Sequence, residues 1–254
     1  MSAVRQMPIT NDEFTPTDES AGRTRILYAV TVLAAISLIG SLIMALMYPG
    51  TDAAQGEVQR IFYIHVSAFA GAFIAYGVTV IAGILYLIRH DPKWDTLALA
   101  GVEVGTVLAV INLATGSVWA RPIWNTWWTW DPRLTSAAIM VLTYFAYLFL
   151  RNAIENRETR ARFASIYGIL AYTSVIVTLI IIRIRPDTIH PAVIGPSPQN
   201  AQGGFELAER MITTMSVSMV VWSVFVPLAL MWWRIRLENL ADRVRARRAQ
   251  VMEN

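Results

Sequence analysis

The sequence predicts an all-α integral membrane protein, a bundle of six transmembrane helices. Hydrophobic residues make up 55% of the chain, charged residues only 15%, and the mean hydropathy is +0.46, values outside the range of soluble domains. Six apolar segments approach or exceed the roughly 20 residues that a helix needs to cross a hydrocarbon core about 30 Å thick. Basic residues concentrate in alternate connections, as expected when a chain crosses a membrane repeatedly.

The six segments divide the chain into three parts. They cover residues 26–48, 61–88, 97–120, 134–150, 163–182 and 211–233. The first has 23 residues, too many for a signal-peptide core of about 7–15 residues, so we expect a retained anchor. We therefore predict a polar cytoplasmic tail at 1–24, a six-helix membrane domain at 25–235 and a basic cytoplasmic tail at 236–254. The pattern of the basic tail predicts an amphipathic helix lying along the cytoplasmic leaflet.

The basic residues predict the orientation of the spans. Fifteen of the 21 Lys and Arg residues fall on the same side as the N-terminus, which places both termini in the cytoplasm of a multi-pass protein of the plasma (inner) membrane. The net charge of +3 reflects this topology, so we expect the lipid bilayer and no nucleic acid as a partner. The absence of cysteine excludes disulfides and thiolate metal sites.

A tryptophan-rich segment lies on the outer side in this topology. Residues 124–131 read WNTWWTWD, which puts four of the nine tryptophans into seven positions before a carboxylate. Tryptophan is enriched at membrane surfaces generally, so one interpretation is an interfacial belt and the other is a platform for a large planar ligand. A belt spreads its aromatic residues over several helix ends, whereas this chain concentrates them.

Two of the three histidines fall on the same outer side. His90 is in an inner connection and is expected to be solvated, whereas His65 lies near the outer end of the second span. His190 lies in the connection 185–210, which holds four of the eleven prolines and is expected to be irregular and shaped. A single histidine is more often a satisfied polar group than a ligand. Together with the tryptophans, two neutral imidazoles predict axial ligation of a haem iron in a shallow outer site.

Charged side chains complete the expected site. A haem carries two propionates, for which arginine is a suitable partner. Four arginines lie at the outer level: Arg60, Arg121, Arg133 and Arg185. Glu103, inside the third span, is a functional candidate because a buried charge is costly there. A hydrogen-bonded packing role is equally open for it, and we leave it outside the site.

Three motifs together resemble a known family. Residues 124–131, followed by PRLTS at 132–136, resemble the WWD signature of haem-handling proteins in cytochrome c biogenesis. RIFYIHV at 60–66 resembles the first histidine motif of that superfamily, and TIHP at 188–191 resembles the second. Over residues 25–235 the chain is most similar to the CcmC type. It has Asn125 where the pattern usually has glycine, and Ser67-Ala68 where proline usually follows the first histidine. Asparagine tolerates positive φ, so we expect the loop to keep its shape.

The resemblance implies a cofactor, a set of site residues and partners. It implies a non-covalent, b-type haem with His65 and His190 as axial ligands. The implied haem-binding face consists of Trp124, Trp127, Trp128, Trp130 and Asp131. The implied partners are an extracytoplasmic haem chaperone that receives the haem, a small membrane subunit and an ABC transporter pair. The protein would bind and transfer haem for cytochrome c maturation rather than catalyse a reaction.

Two other functions remain open from the sequence. One is a haem-attaching synthetase subunit of the related biogenesis system, which would need a partner with further outer domains. The other is a small-molecule transporter with an aromatic rim, which would need a polar path through the bundle. Glu103 is nearly alone as a candidate for such a path.

Overall fold

The computed structural model describes residues 18–185, 187–191 and 207–253. This part of the chain is helical, and one isolated bridge between Asp52 and Gly56 is its only β-type pairing. The helices are α1 (Asp18–Met47), α2 (Ile61–Arg89), which follows a 3-10 turn (Glu57–Arg60), α3 (Pro92–Trp124), α4 (Pro132–Ala153), α5 (Arg157–Ile184), α6 (Glu209–Val220), a π-helical turn (Val221–Phe225), and α7 (Val226–Glu253).

Six continuous helical stretches are long and apolar enough to cross a membrane. The sixth combines α6, the π-helical turn and α7. The predicted fold class, an all-α bundle with six spans, is therefore confirmed. Most helix ends lie beyond the predicted apolar segments, because polar residues continue the helix. At two ends this is not so: α1 ends at Met47, one residue before the predicted bound, and α2 begins at Ile61, as predicted. The first helix begins at Asp18, inside the polar tail predicted for 1–24. Residues 1–17 lie outside the described part of the chain.

The basic C-terminal segment differs from the expectation. It is helical, but it continues from the sixth span through α7 to Glu253 without an interruption, so it is not a separate helix turned along the membrane surface. Ion pairs explain the continuation: Arg157 at the start of α5 contacts Asp242 at 2.8 Å, and Arg234 contacts Glu238 one turn later at 2.8 Å. The first of these contacts attaches the extension of α7 to the bundle, and the second lies within α7.

Capping residues define the ends of the central helices. Asp91, Asp131 and Asn156 each accept a hydrogen bond from a backbone N–H in the first turn of α3, α4 and α5, which satisfies a donor that has no partner within the helix. Proline occupies the first position of α3 and α4, where its missing N–H has no cost. Asn125 ends α3 with φ 56° and ψ 23°, the left-handed conformation that asparagine tolerates. The positive φ expected at this departure from the family pattern is therefore present.

Small residues bring α2 against its neighbours. A Cβ added to Gly71 would lie 2.4 Å from the carbonyl oxygen of Trp222, and one added to Gly105 would lie 2.7 Å from the Tyr76 ring. Close backbone approach of this kind is a usual way for membrane helices to gain packing contacts. Beside it, the rings of Tyr76 and Tyr144 stack with centroids 3.5 Å apart. The result is a core in which α2 and α3 pack together most extensively.

The bundle has two distinct ends. The start of α2, the end of α3, the start of α4 and residues 187–191 lie together at one end, which we call the histidine end because it contains His65 and His190. The start of α3, the end of α4, the start of α5 and the middle of α7 lie at the other. We call that one the arginine end.

Candidate functional site

His65 lies in the second turn of α2, and α3 fixes its ring. Its Nδ1 lies 2.9 Å from the carbonyl oxygen of Asn112, and because a carbonyl only accepts, Nδ1 carries the proton. The side chain of Asn112 donates to the His65 carbonyl at 2.8 Å, and its amide nitrogen lies 3.2 Å from Nδ1 and 3.5 Å from Nε2. In the neutral ring this contact leaves Nε2 with the free lone pair, the usual arrangement for a histidine that binds a metal.

His190 has the same tautomer although it lies in a loop. Its Nδ1 is 2.9 Å from the carbonyl oxygen of Pro191, and its backbone N–H donates to Thr188 Oγ1 at 3.2 Å. Burial, the positive charge of Arg133 and the neighbouring His65 lower the pKa of His190 to about 3. The imidazole is therefore neutral at physiological pH, the form in which histidine binds metals.

The two imidazoles lie beside each other. Their ring centroids are 6.2 Å apart, and the ring planes are inclined by 36°. Metal–nitrogen bonds of about 2.0–2.1 Å would place two opposed nitrogens about 4 Å apart. Because each ring centroid lies behind its nitrogen, a separation of 6.2 Å is compatible with one shared metal ion.

Two histidines do not complete a metal site by themselves. Within the described ranges, no group of three or more His, Cys, Asp or Glu residues is arranged to hold an ion. A metal held by His65 and His190 would therefore need ligands beyond those that the described residues supply. A porphyrin supplies them from its ring nitrogens and leaves two axial positions for protein side chains. The donor set of this chain fits that group.

A cavity adjoins the two histidines, and the centre of a water-sized molecule can occupy about 90 Å³ within it. Trp119 contacts the His65 ring edge-on at a centroid distance of 5.8 Å, and Trp124 contacts the His190 ring in the same manner at 6.4 Å. Indole and aliphatic groups form most of the remaining wall, as a large apolar ring would require.

Gly116 provides the space for the His65 ring. A Cβ at this position of α3 would lie 2.7 Å from Cε1 of His65 and 3.2 Å from its Nδ1. Any side chain there would displace the imidazole or the helix. Asn112 and Gly116 lie one turn apart on α3. Together they determine where Nε2 of His65 lies.

The structure divides the tryptophan-rich segment into two pairs. Trp124 and Trp128 line the cavity. Trp127 and Trp130 are 56% and 78% exposed and lie outside its lining. The division arises because Asn125 ends the helix, so the following residues no longer share a helical face. Trp130 packs edge-on against Trp128 at 5.8 Å.

Asp131 holds the residues immediately before His190 in place. Its Oδ1 accepts from the backbone N–H of Leu134 at 2.9 Å and so caps α4. Its Oδ2 accepts from Thr188 Oγ1 at 3.2 Å and from the Ile189 N–H at 3.3 Å. One carboxylate thus connects the tryptophan-rich segment to the residues immediately before His190. Its place in the site is that of a positioning residue.

Of the four predicted arginines, Arg133 lines the cavity. Its guanidinium carbon lies 4.8 Å above the ring of Phe69, while its Nη1 is buried and has no hydrogen-bond partner among the described residues. The other three have partners elsewhere and do not line the cavity. Arg60 pairs with Glu57 at 2.6 Å, Arg121 donates to the Asn125 carbonyl at 2.9 Å, and Arg185 pairs with Asp187 at 2.7 Å.

Comparison with known proteins then defines the family. The family described as heme exporter protein C, CcmC, has a sequence model that matches residues 13–250. The chain belongs to the CcmC family. It is 31% identical over 236 residues to heme exporter protein C of Bradyrhizobium diazoefficiens, which covers 91% of this chain and 85% of that protein.

Other CcmC relatives match a shorter segment. Identity is 35% over 137 residues with heme exporter protein C of Rhodobacter capsulatus, covering 54% of this chain and 57% of that protein. With the protein of Escherichia coli K12 it is 34% over 115 residues, covering 45% and 47%. In these two alignments the chain spans about half the length of the relative.

Three residues of α3 that line the cavity beside the histidines were not among the site residues predicted from the sequence. They are Asn112, Gly116 and Trp119. Their spacing of four and three residues places them on one helix face, which leads along α3 toward Trp124. The amide of Asn112 within an apolar span was the feature of the sequence that could have indicated this site, because such a group needs a specific partner. Trp119 in turn donates to Gln55 at 2.9 Å, a contact that the sequence pattern does not predict.

Proposed function

We propose that this protein binds one non-covalent haem between His65 and His190 and delivers it to an extracytoplasmic haem chaperone for cytochrome c maturation. The observation that carries the proposal is the pair of neutral imidazoles 6.2 Å apart, each with its Nδ1 engaged by a carbonyl. The indole-lined cavity beside them supports a large planar ligand. Haem would supply the iron and the ring nitrogens, and the chain would supply axial ligands, apolar walls and Arg133, whose Nη1 has no hydrogen-bond partner among the described residues.

The position of the site supports delivery rather than electron storage. His65 lies in the second turn of α2 and His190 in a loop, so neither ligand is deep within the bundle. A ligand on a loop can be withdrawn by moving the few residues that Asp131 anchors through Thr188 and Ile189. Access at the end of the bundle suits transfer of the cofactor to another protein.

The family relationship supports the partners and the location. We assign the protein to the inner membrane, with a small membrane subunit and an ABC transporter pair as further partners. Among the alternatives, the small-molecule transporter gains no support from Glu103. That carboxylate forms an ion pair with Arg234 at the arginine end, so it is engaged by the bundle itself.

The direct test is a haem titration of the purified protein. Haem is expected to bind with one-to-one stoichiometry and to give a Soret band of the kind produced by two imidazole ligands. Cytochrome c yield in a strain that lacks its own CcmC protein measures delivery. Absence of a Soret change at saturating haem would reject the proposal, whereas haem binding without cytochrome c production would reject only the delivery step.

The proposed orientation predicts the result of reporter fusions. Fusions after Gly50 and Pro132 are expected to report the extracytoplasmic side, because these positions adjoin the histidine end. Fusions after Asp91 and Asn156, at the arginine end, are expected to report the cytoplasm. A cytoplasmic signal from Pro132 would place the cavity on the wrong side for delivery to an extracytoplasmic chaperone.

The division of the tryptophans predicts unequal effects of two substitutions. Trp128→Ala is expected to weaken haem binding, since aromatic packing contributes about 0.5–1.5 kcal/mol beyond buried area. That contribution corresponds to about two- to twelvefold in the dissociation constant. Trp127→Ala is the matched control, because this indole is exposed and lies outside the cavity lining. Haem titration of both variants is the measurement, and equal losses would indicate a general membrane belt.

A further inference from the structure

A second cavity lies at the arginine end of the bundle. It has a volume of about 700 Å³ and lies between α3, α4, α5 and α7, at the opposite end of the helices from the histidines. Its wall contains five arginines: Arg151, Arg157, Arg160, Arg234 and Arg245. Most of these charges are neutralised by carboxylates of the protein itself.

Two of the arginines have a carboxylate partner in bidentate contact. Arg151 donates to the two oxygens of Asp95 at 2.5 and 2.9 Å. Arg157 donates to the two oxygens of Asp242 at 2.8 and 2.9 Å. Each of these guanidinium groups is therefore compensated within the protein.

Two further arginines contact Glu103 and Glu238, and one of them also contacts Asp242, the partner of Arg157. Arg234 pairs with Glu103 and, at 2.8 Å, with Glu238. Arg245 contacts Glu238 at 3.0 Å and Asp242 at 2.6 Å. Four carboxylates thus serve the five arginines of the cavity wall, which leaves one positive charge uncompensated.

The uncompensated charge is that of Arg160. No carboxylate contacts it within the described ranges, and its Nε is buried without a hydrogen-bond partner there. A buried donor without a partner is unfavourable, because it has lost its hydrogen bonds to water. An anion in the cavity would restore that hydrogen bond and balance the charge.

We propose that this cavity binds the phosphate headgroup of an anionic phospholipid, with Arg160 as its principal contact. Guanidinium groups match the oxygen geometry of phosphate. The cavity lies at the level of the helix ends, where headgroups are found, and basic pockets between membrane helices are suited to anionic lipids. The apolar side chains of Leu99 and Leu148 also line it, which favours a lipid over a soluble phosphate.

The test uses the full-length protein in detergent and measures bound lipid by native mass spectrometry. Phosphatidylglycerol is the anionic probe and phosphatidylcholine the zwitterionic one. We expect the wild type to retain phosphatidylglycerol selectively, and Arg160→Gln to weaken its binding about tenfold or more, as expected for a lost charge-assisted hydrogen bond. Arg160→Lys should restore part of the affinity, because lysine retains the charge without the planar fork.

Arg162→Gln is the matched control. Arg162 lies two residues along the same helix, is exposed and is not part of the cavity wall. The substitution Arg162→Gln therefore removes the same charge without changing the proposed contact. Equal loss in both variants would show a diffuse positive surface and overturn the proposal. Inorganic phosphate that binds as tightly as phosphatidylglycerol would also overturn it, in favour of a soluble anion. Equal retention of phosphatidylglycerol and phosphatidylcholine would also overturn the proposal. An unchanged unfolding temperature in Arg160→Gln shows that the variant is folded.

Discussion

Replacement of His65 or His190 by alanine is expected to remove tight haem binding while the protein still accumulates in the membrane. Changes to residues that merely orient a metal ligand typically reduce affinity about 10–100-fold, so loss of the ligand itself should cost more. The helices are unaffected, because His65 contributes one side chain near the start of α2 and His190 lies in a loop. Haem content of the purified variants, together with the position and shape of the Soret band, is the measurement.

The control for this experiment is the third histidine. His90 is exposed and ends α2 with φ 55°, so His90→Asn is preferable to His90→Ala, since asparagine tolerates that conformation. Its haem content should equal that of the wild type. If the two site variants bind haem as the wild type does, the ligands must be other residues. If each variant changes the spectrum but retains haem, the remaining histidine alone would suffice.

The spans and the proximity of the two histidines could be predicted from the sequence. An uninterrupted apolar run long enough to cross the bilayer has few alternatives to a transmembrane helix. Alternation of spans then places the start of α2 and the connection after α5 at the same end of the bundle. His65 and His190 are therefore expected at the same level, and the structure places their rings 6.2 Å apart.

Position around the bundle axis could not be predicted in the same way. Arg60, Arg121, Arg133 and Arg185 occur at similar depth, yet Arg133 is the one that lines the cavity. Depth follows from the distance along a helix, whereas direction depends on how the helices pack. The tryptophans illustrate the same limit, because the left-handed Asn125 breaks the helical period between Trp124 and Trp128. Asp131 was expected to face the cofactor, but it caps α4 and holds the segment before His190.

Removal of the Arg133 side chain is expected to weaken haem binding and to stabilise the haem-free protein. Its buried Nη1 has no partner among the described residues, which is unfavourable without a ligand and suits a haem propionate. A charge-assisted contact contributes about 1.5–3 kcal/mol. Arg133→Met should therefore raise the dissociation constant of haem about 10–150-fold. The same substitution should raise the unfolding temperature of the haem-free protein, because an unpaired buried charge is replaced by an apolar side chain.

Two further variants separate a specific contact from a general positive field. Arg133→Lys should recover only part of the affinity, since lysine lacks the planar pair of donors. Arg185→Gln removes an equal charge from the same end of the bundle, but Arg185 is exposed and paired with Asp187, so its effect on haem affinity should be small. Haem titration and thermal unfolding of the three variants measure both quantities. Full recovery with lysine, or an equal loss in Arg185→Gln, would mean that Arg133 acts through its charge alone and does not bind a propionate directly.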